Sequence, residues 1–145
     1  MRNIPTVLAA AASLAALTWA AEAVGPVVLA ARAIEWKASG SLPPGAEYHL
    51  IYEDPATHAV QTLVRMPKGY VLPAHSHSQD ETILVLRGKL LLEFGARKET
   101  VSVGGYAVIP RGTVFTLRSA GFGGAEFLAA FSGPFDMKSA EPAKP

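Results

Sequence analysis

After Ala33 the chain is a succession of apolar runs only a few residues long, each cut off by glycine, proline or clustered polar residues. "YHLIYED", "AVQTLVRM", "TILVL", "LLLEF", "ETVSV", "YAVIP", "TVFTLRSA" and "AEFLAAF" follow one another. They are bounded by Asp54-Pro55, Pro67-Lys68-Gly69, Gly88, Gly104-Gly105, Pro110-Arg111-Gly112, Gly121 and Ser132-Gly133-Pro134. No run beyond the N-terminal segment keeps a helical period. Strands this short at such regular spacing predict an all-β antiparallel sandwich or barrel, with "RGK" around Gly88 as a hairpin connection. Gly69, Gly88, Gly104 and Gly112 read as turn glycines. The barrel is expected over residues 46–136, after an arm at 24–45 that contains the loop "SGSLPPGAE". The polar, proline-bearing 137–145 is expected to be a disordered tail.

Some runs are apolar on both parities, as in Ile83-Leu84-Val85-Leu86 and Leu90-Leu91-Leu92. One face fills a barrel, and the other needs a second layer or a partner subunit. A homodimer is the expectation.

The first residues, "MRNIPTVLAAAASLAALTWAAEA", resemble an export signal. Arg2 is the positive end, Ile4 to Trp19 are the apolar stretch, and Ala21-Glu22-Ala23 is an A-x-A cleavage pattern, with cutting after Ala23. An uncleaved anchor is the alternative, but Glu22 and Gly25-Pro26 interrupt the ~20 apolar residues that a spanning helix wants. Residues 1–23 are therefore read as a signal peptide. The mature chain is expected to be periplasmic or secreted, with no membrane contact after cleavage.

Thirteen basic residues against twelve acidic ones give a net charge of +1, and the basic residues are scattered, so nucleic-acid binding is not expected. Cysteine is absent, so any metal must take nitrogen and oxygen ligands. Two of the four histidines, His75 and His77, stand one residue apart within "GYVLPAHSHSQDETILVLRG", with Glu81 four further on. On a strand, residues two apart share a face. A straight strand would hold Glu81 roughly 20 Å from His75, but Ser78-Gln79-Asp80 is turn-prone and lets the chain fold back. Two imidazoles and one carboxylate on one point suit Fe(II) and also accept Mn, Ni, Cu or Zn. Read blandly, the same residues are two half-exposed histidines beside ordinary surface charges. His49 and His58 read as strand or surface histidines. Tyr48, Gln61, Arg65, Tyr70 and Phe94 could line a pocket or simply pack the sheet.

The stretch Gly69–Gly88 resembles the first motif of the cupin family, G-x5-H-x-H-x3-E-x6-G, at every spacing. Gly104, Pro110 and Gly112 fit part of the second, G-x5-P-x-G-x2-H-x3-N. Phe115 stands where the third histidine is expected, and Ser119 where the asparagine is. "LPPGAEYHLIYEDP", "RMPKGYVLPAHSH" and "SGPFDMK" are similar to small bacterial cupins related to ChrR-type domains. The resemblance implies a single cupin barrel, a double-stranded, jelly-roll-like β-helix, with a divalent metal ion on His75, His77 and Glu81. It also implies a small-molecule substrate or ligand. Position 115 cannot ligate, so three ligands remain. One expectation is a metal-dependent enzyme, such as a dioxygenase or isomerase. The other is a non-catalytic sensing module, metal-free because Phe115 replaces a ligand.

Overall fold

The structure, a computed structural model, describes residues 25–141; the signal peptide read at 1–23 lies outside the described residues. A 3-10 turn at Ala31–Ala33 precedes eleven strands: β1 (Lys37–Ala38), β2 (Glu47–Glu53), β3 (Val60–Met66), β4 (Val71–Ser76), β5 (Glu81–Arg87), β6 (Lys89–Phe94), β7 (Arg97–Ser102), β8 (Tyr106–Ile109), β9 (Phe115–Ala120), β10 (Ala125–Phe131) and β11 (Lys138–Ser139). They form two sheets, ordered β1-β2-β3-β10-β5-β8 and β11-β4-β9-β6-β7, and every pairing is antiparallel. After β3 the chain changes sheet at each connection except the β6–β7 hairpin. That weave is the jelly-roll barrel expected from the short, turn-bounded runs.

Alternation sets the interior. In β10 the residues Ala125, Phe127, Ala129 and Phe131 are buried, and the residues between them are only half-buried. Ile83 and Val85 of β5 meet Leu90 and Leu92 of β6 and Leu117 of β9 in the core, all almost wholly buried. Such runs of alternating branched and aromatic residues bury one face of each sheet and leave the other to solvent. At β5 and β8 the other face stays apolar: Leu86, Tyr106 and Val108 are exposed.

Short strands form within both the expected arm and the expected tail. Lys37–Ala38 extends the first sheet beside β2, and the Arg65 guanidinium lies 4.4 Å over the Trp36 ring. Lys138–Ser139, within the segment expected to be disordered, pairs instead with β4 at Ser76 and His75. Strand β4 would otherwise present an unpaired edge. The Ala140 N–H also donates to the Ala74 carbonyl at 2.9 Å.

Backbones come close at the turn between β5 and β6; these strands lie in different sheets, so the hairpin expected at "RGK" is instead a crossing between the sheets. Gly88 has φ +73°, and a Cβ there would lie 2.0 Å from the Gly124 carbonyl oxygen. No other residue fits without displacing the β9–β10 turn.

Candidate metal centre

Strand β4 changes parity partway along. Leu72 and Ala74 are buried, then His75 and His77 are buried, so the inward set shifts by one residue. Pairing with β9 shows the cause: Leu72 lies opposite Leu117 but His75 opposite Phe115, three residues against two. This β-bulge includes Pro73, which has no N–H to give a ladder. Without it, the alternation begun at Leu72 would turn both imidazoles out of the barrel.

The next four residues carry the chain from one sheet to the other. Strand β4 ends at Ser76, in the five-stranded sheet, and Glu81 opens β5, in the six-stranded one. The bend expected at Ser78–Asp80 is this crossing, and it is tied on both sides. The Ser78 N–H donates to Asp136 Oδ1 at 2.7 Å. Asp80 accepts from the Arg111 N–H at 2.9 Å and from its guanidinium at 3.2 and 3.1 Å, and the Ser132 hydroxyl accepts from the Asp80 N–H at 3.1 Å. Glu81 therefore faces the histidines across the sandwich, where a straight strand would have carried it away.

His75, His77 and Glu81 are all buried, at 2, 6 and 5% exposure. Nδ1–H of His75 donates to the Pro73 carbonyl at 2.8 Å, and Nδ1–H of His77 to the Asp136 carbonyl. A carbonyl only accepts, so each Nδ1 carries the proton and each Nε2 keeps its lone pair. His77 Nε2 stands 3.4 Å from Glu81 Oε2, and that oxygen has no hydrogen-bond partner among the described residues. Burial pushes the Glu81 carboxyl up to about 8 and the His75 imidazole down to about 4; burial also lowers His77, against the Asp136 carbonyl and carboxylate, which raise it. At neutral pH the set is uncharged, with one removable proton on Glu81.

Phe115 stands opposite His75, as the motif alignment expects. Its ring centroid lies 4.3 Å from that of His75 and 6.1 Å from that of His77, and it stacks on Phe94 at 5.8 Å. Phe131 and Phe135 close on His77 from the other side, at 5.0 and 5.8 Å. Ser119, at the motif's asparagine position, is buried, and its Oγ has no partner among the described residues.

Among the described residues, no three His, Cys, Asp or Glu side chains are already drawn onto a single point. The chemistry of the donors fits a divalent ion even so. Metal-bound histidines usually give their second N–H to a carbonyl or carboxylate, as both do here. Two ligands about 2.1 Å from one ion sit roughly 3.0–3.4 Å apart, and the His77–Glu81 separation falls at that limit. A buried carboxylate oxygen without a partner is costly unless something else occupies it.

A cavity of about 270 Å³ opens above these residues. Of the five pocket candidates read from sequence, Tyr48 lines it. Gln61 and Arg65 point out of the barrel, with Arg65 paired to Glu47 at 2.6 Å, because Val60, Thr62, Val64 and Met66 take the inward parity of β3. Tyr70 is buried and donates its hydroxyl to the Pro43 carbonyl at 2.7 Å. Phe94 reaches the site only through Phe115. His49 and His58 stay outside, against Glu35 and Glu53. The rim residues Ser39–Leu42, Glu53 and Phe135 come from distant parts of the chain and carried no local signal.

A family model described as the ChrR Cupin-like domain matches residues 24–135. The chain belongs to the ChrR cupin-like family. Solved cupin structures share the fold at low identity. The polyketide cyclase RemF from Streptomyces resistomycificus is 19% identical with a TM-score of 0.68, over 80% of this chain and 86% of that one. A putative acetylacetone dioxygenase from Methylibium petroleiphilum is also 19% identical with a TM-score of 0.68, over 83% and 84%. The structure of Rhodobacter sphaeroides SigE in complex with the anti-sigma ChrR matches at 20% identity and a TM-score of 0.57, over 70% of this chain and 50% of the matched one. At these identities the likeness is one of fold. No curated protein sequence matches the chain significantly.

Proposed function

We propose that this cupin holds a divalent metal ion on His75, His77 and Glu81 and uses it as an enzyme on a small molecule bound in the barrel, in dioxygenase- or isomerase-type chemistry. The observation that carries this reading is the unpartnered Glu81 Oε2, buried and aimed at His77 Nε2. A bound ion supplies Lewis acidity or an oxygen-activating centre. The chain's own residues do the rest. The Pro73 and Asp136 carbonyls hold the imidazoles in the tautomer that presents Nε2. A divalent ion would be held by Glu81 in its carboxylate form, so metal affinity is expected to rise with pH up to about 8. Phe115, Phe131 and Phe135 shield the donors from water. With Phe115 in place of a fourth ligand, positions remain for a substrate that binds through two atoms.

The test is metal analysis of protein isolated from its native compartment, alongside His75→Ala and Glu81→Ala. Stoichiometric iron, manganese, zinc, copper or nickel, lost in both variants, is expected. A metal-free wild type that cannot be reconstituted would sink the proposal.

Phe115 also favours a second reading, a non-catalytic sensing module. It removes a ligand and makes the site more apolar. Metal or ligand binding that changes stability, with no turnover of any oxidisable or isomerisable compound by the loaded protein, would select it.

Two further parts of the proposal concern the setting. Export is tested by N-terminal sequencing of the periplasmic protein, which should begin at Val24. Homodimerisation is supported by the outer apolar residues Leu86, Tyr106 and Val108, and a monomer at micromolar concentration in light scattering would refute it.

A further inference from the structure

The cavity above the donors has a composition that restricts what can enter it. Its inner walls are Val64, Met66, Leu72, Leu117, Phe127 and Phe131, all buried. Among the described residues its lining has no lysine or arginine. The one acidic group at the rim, Glu53, is exposed and already paired with His58 at 2.8 Å. Thr62, on the wall, donates its hydroxyl to the His49 carbonyl at 3.0 Å, which leaves the hydroxyls of Ser39, Ser41 and Tyr48 as the other neutral polar groups of the lining. The donors His77 and Glu81 close one end, and Phe131 and Phe135 pack on the His77 ring beside them.

A sugar or a phosphate ester in this space would lose its hydration and find few groups to replace it, which is costly. A carboxylate would meet no protein cation. Size sets a second bound. A dry apolar cavity of about 150 Å³ takes benzene, so this one holds about eleven non-hydrogen atoms. We infer that the barrel binds an uncharged, largely apolar molecule of one or two rings, or a chain of equal size, inserted with its single polar end toward His77 and Glu81. The inference narrows the substrate class of the proposed enzyme and rests on the barrel interior being its working site. It does not require the ion to be bound.

The probe is 2-naphthol, which has about the right size and one hydroxyl; its fluorescence is followed during titration of the full-length mature protein, with and without Zn²⁺. Saturable micromolar binding is expected, and neither glucose nor citrate in large excess should displace it. Ala129 lies between Phe127 and Phe131 on the cavity wall, so Ala129→Phe should weaken binding by at least tenfold. Ala129→Leu, a milder filling, serves if thermal melting shows that the phenylalanine variant is unfolded. Displacement by glucose or citrate, no saturation, or full binding by a folded Ala129 variant would overturn the inference. Failure of the metal proposal shows separately: a metal-free protein that binds 2-naphthol sinks the enzyme and leaves the ligand class, and a metal-loaded protein that does not bind it does the reverse.

Discussion

Phe115→His puts an imidazole where the chain has a benzene ring. Phe115 is 1% exposed, opposite His75 in register and 4.3 Å from it ring to ring. Without metal the change loses part of the aromatic burial and leaves ring nitrogens among Phe94 and the two histidines, a cost of about 2–4 kcal/mol. For a domain of this size that is a fall in Tm of roughly 10 °C. With metal the new nitrogen becomes a ligand. Affinity should rise at least ~10-fold, which is about 1.4 kcal/mol, and binding to the folded state alone returns stability by mass action. Thermal scans of wild type and variant in EDTA and in Zn²⁺ or Mn²⁺ read both effects, and a competition titration reads the affinity. The variant should melt well below wild type in EDTA and recover much of the gap with metal. An equal gap in both conditions, with unchanged affinity, would refute the placement of position 115 beside the donors.

Acid–base behaviour of the metal-free protein follows from the same burial. Glu81 is raised from 4.5 to about 8, so between those values the folded chain keeps a proton the unfolded chain has lost, and stability falls as pH rises; His75, lowered from 6.5 to about 4, contributes stability that is lost as pH drops through that window. Urea melts in EDTA from pH 6.5 to 8 should lose roughly 1 kcal/mol per pH unit, and Glu81→Gln should flatten the slope; a flat wild type counts against the buried, unpaired carboxyl. Gly88→Ala, whose Cβ would meet the Gly124 carbonyl at 2.0 Å, should lower Tm far more than Gly69→Ala, which has the same φ of +73° and open space around it, and should cost about 1 kcal/mol; equal effects would contradict the packing of the β5–β6 turn. Asp136→Ala removes the acceptor of the Ser78 N–H and loosens the carbonyl that holds His77, so metal affinity should fall about 10–100-fold with little loss of fold, as read by the same competition titration.

Much of the barrel was legible because β3, β5, β6, β9 and β10 each bury one face, and alternation between turn residues is visible in sequence. The donors were legible because His75, His77 and Glu81 lie close in the chain. Beyond the bend expected at Ser78–Asp80, the backbone geometry that brings them near one another was not. It depends on a bulge at Pro73, which breaks the alternation begun at Leu72, and on a change of sheet between Ser76 and Glu81. The partner of His77 is a backbone carbonyl 59 residues away, and a main-chain acceptor leaves no mark in composition. Gln61 and Arg65 share their parity only with Leu63, whereas Val60, Val64 and Met66 take the other, so the alternation along β3 already pointed both residues outward. The short β11 was missed because polar residues gave it no pattern; it forms to cover the edge of β4.

The most direct test of the central claim is anomalous diffraction from crystals grown with Mn²⁺, Fe²⁺ or Zn²⁺, collected at the absorption edge of each metal. One strong peak is expected, bonded to Nε2 of His75, Nε2 of His77 and the Glu81 carboxylate, beside the Phe115 ring. No peak in the barrel with any of the three ions, or one held by other residues, would contradict it.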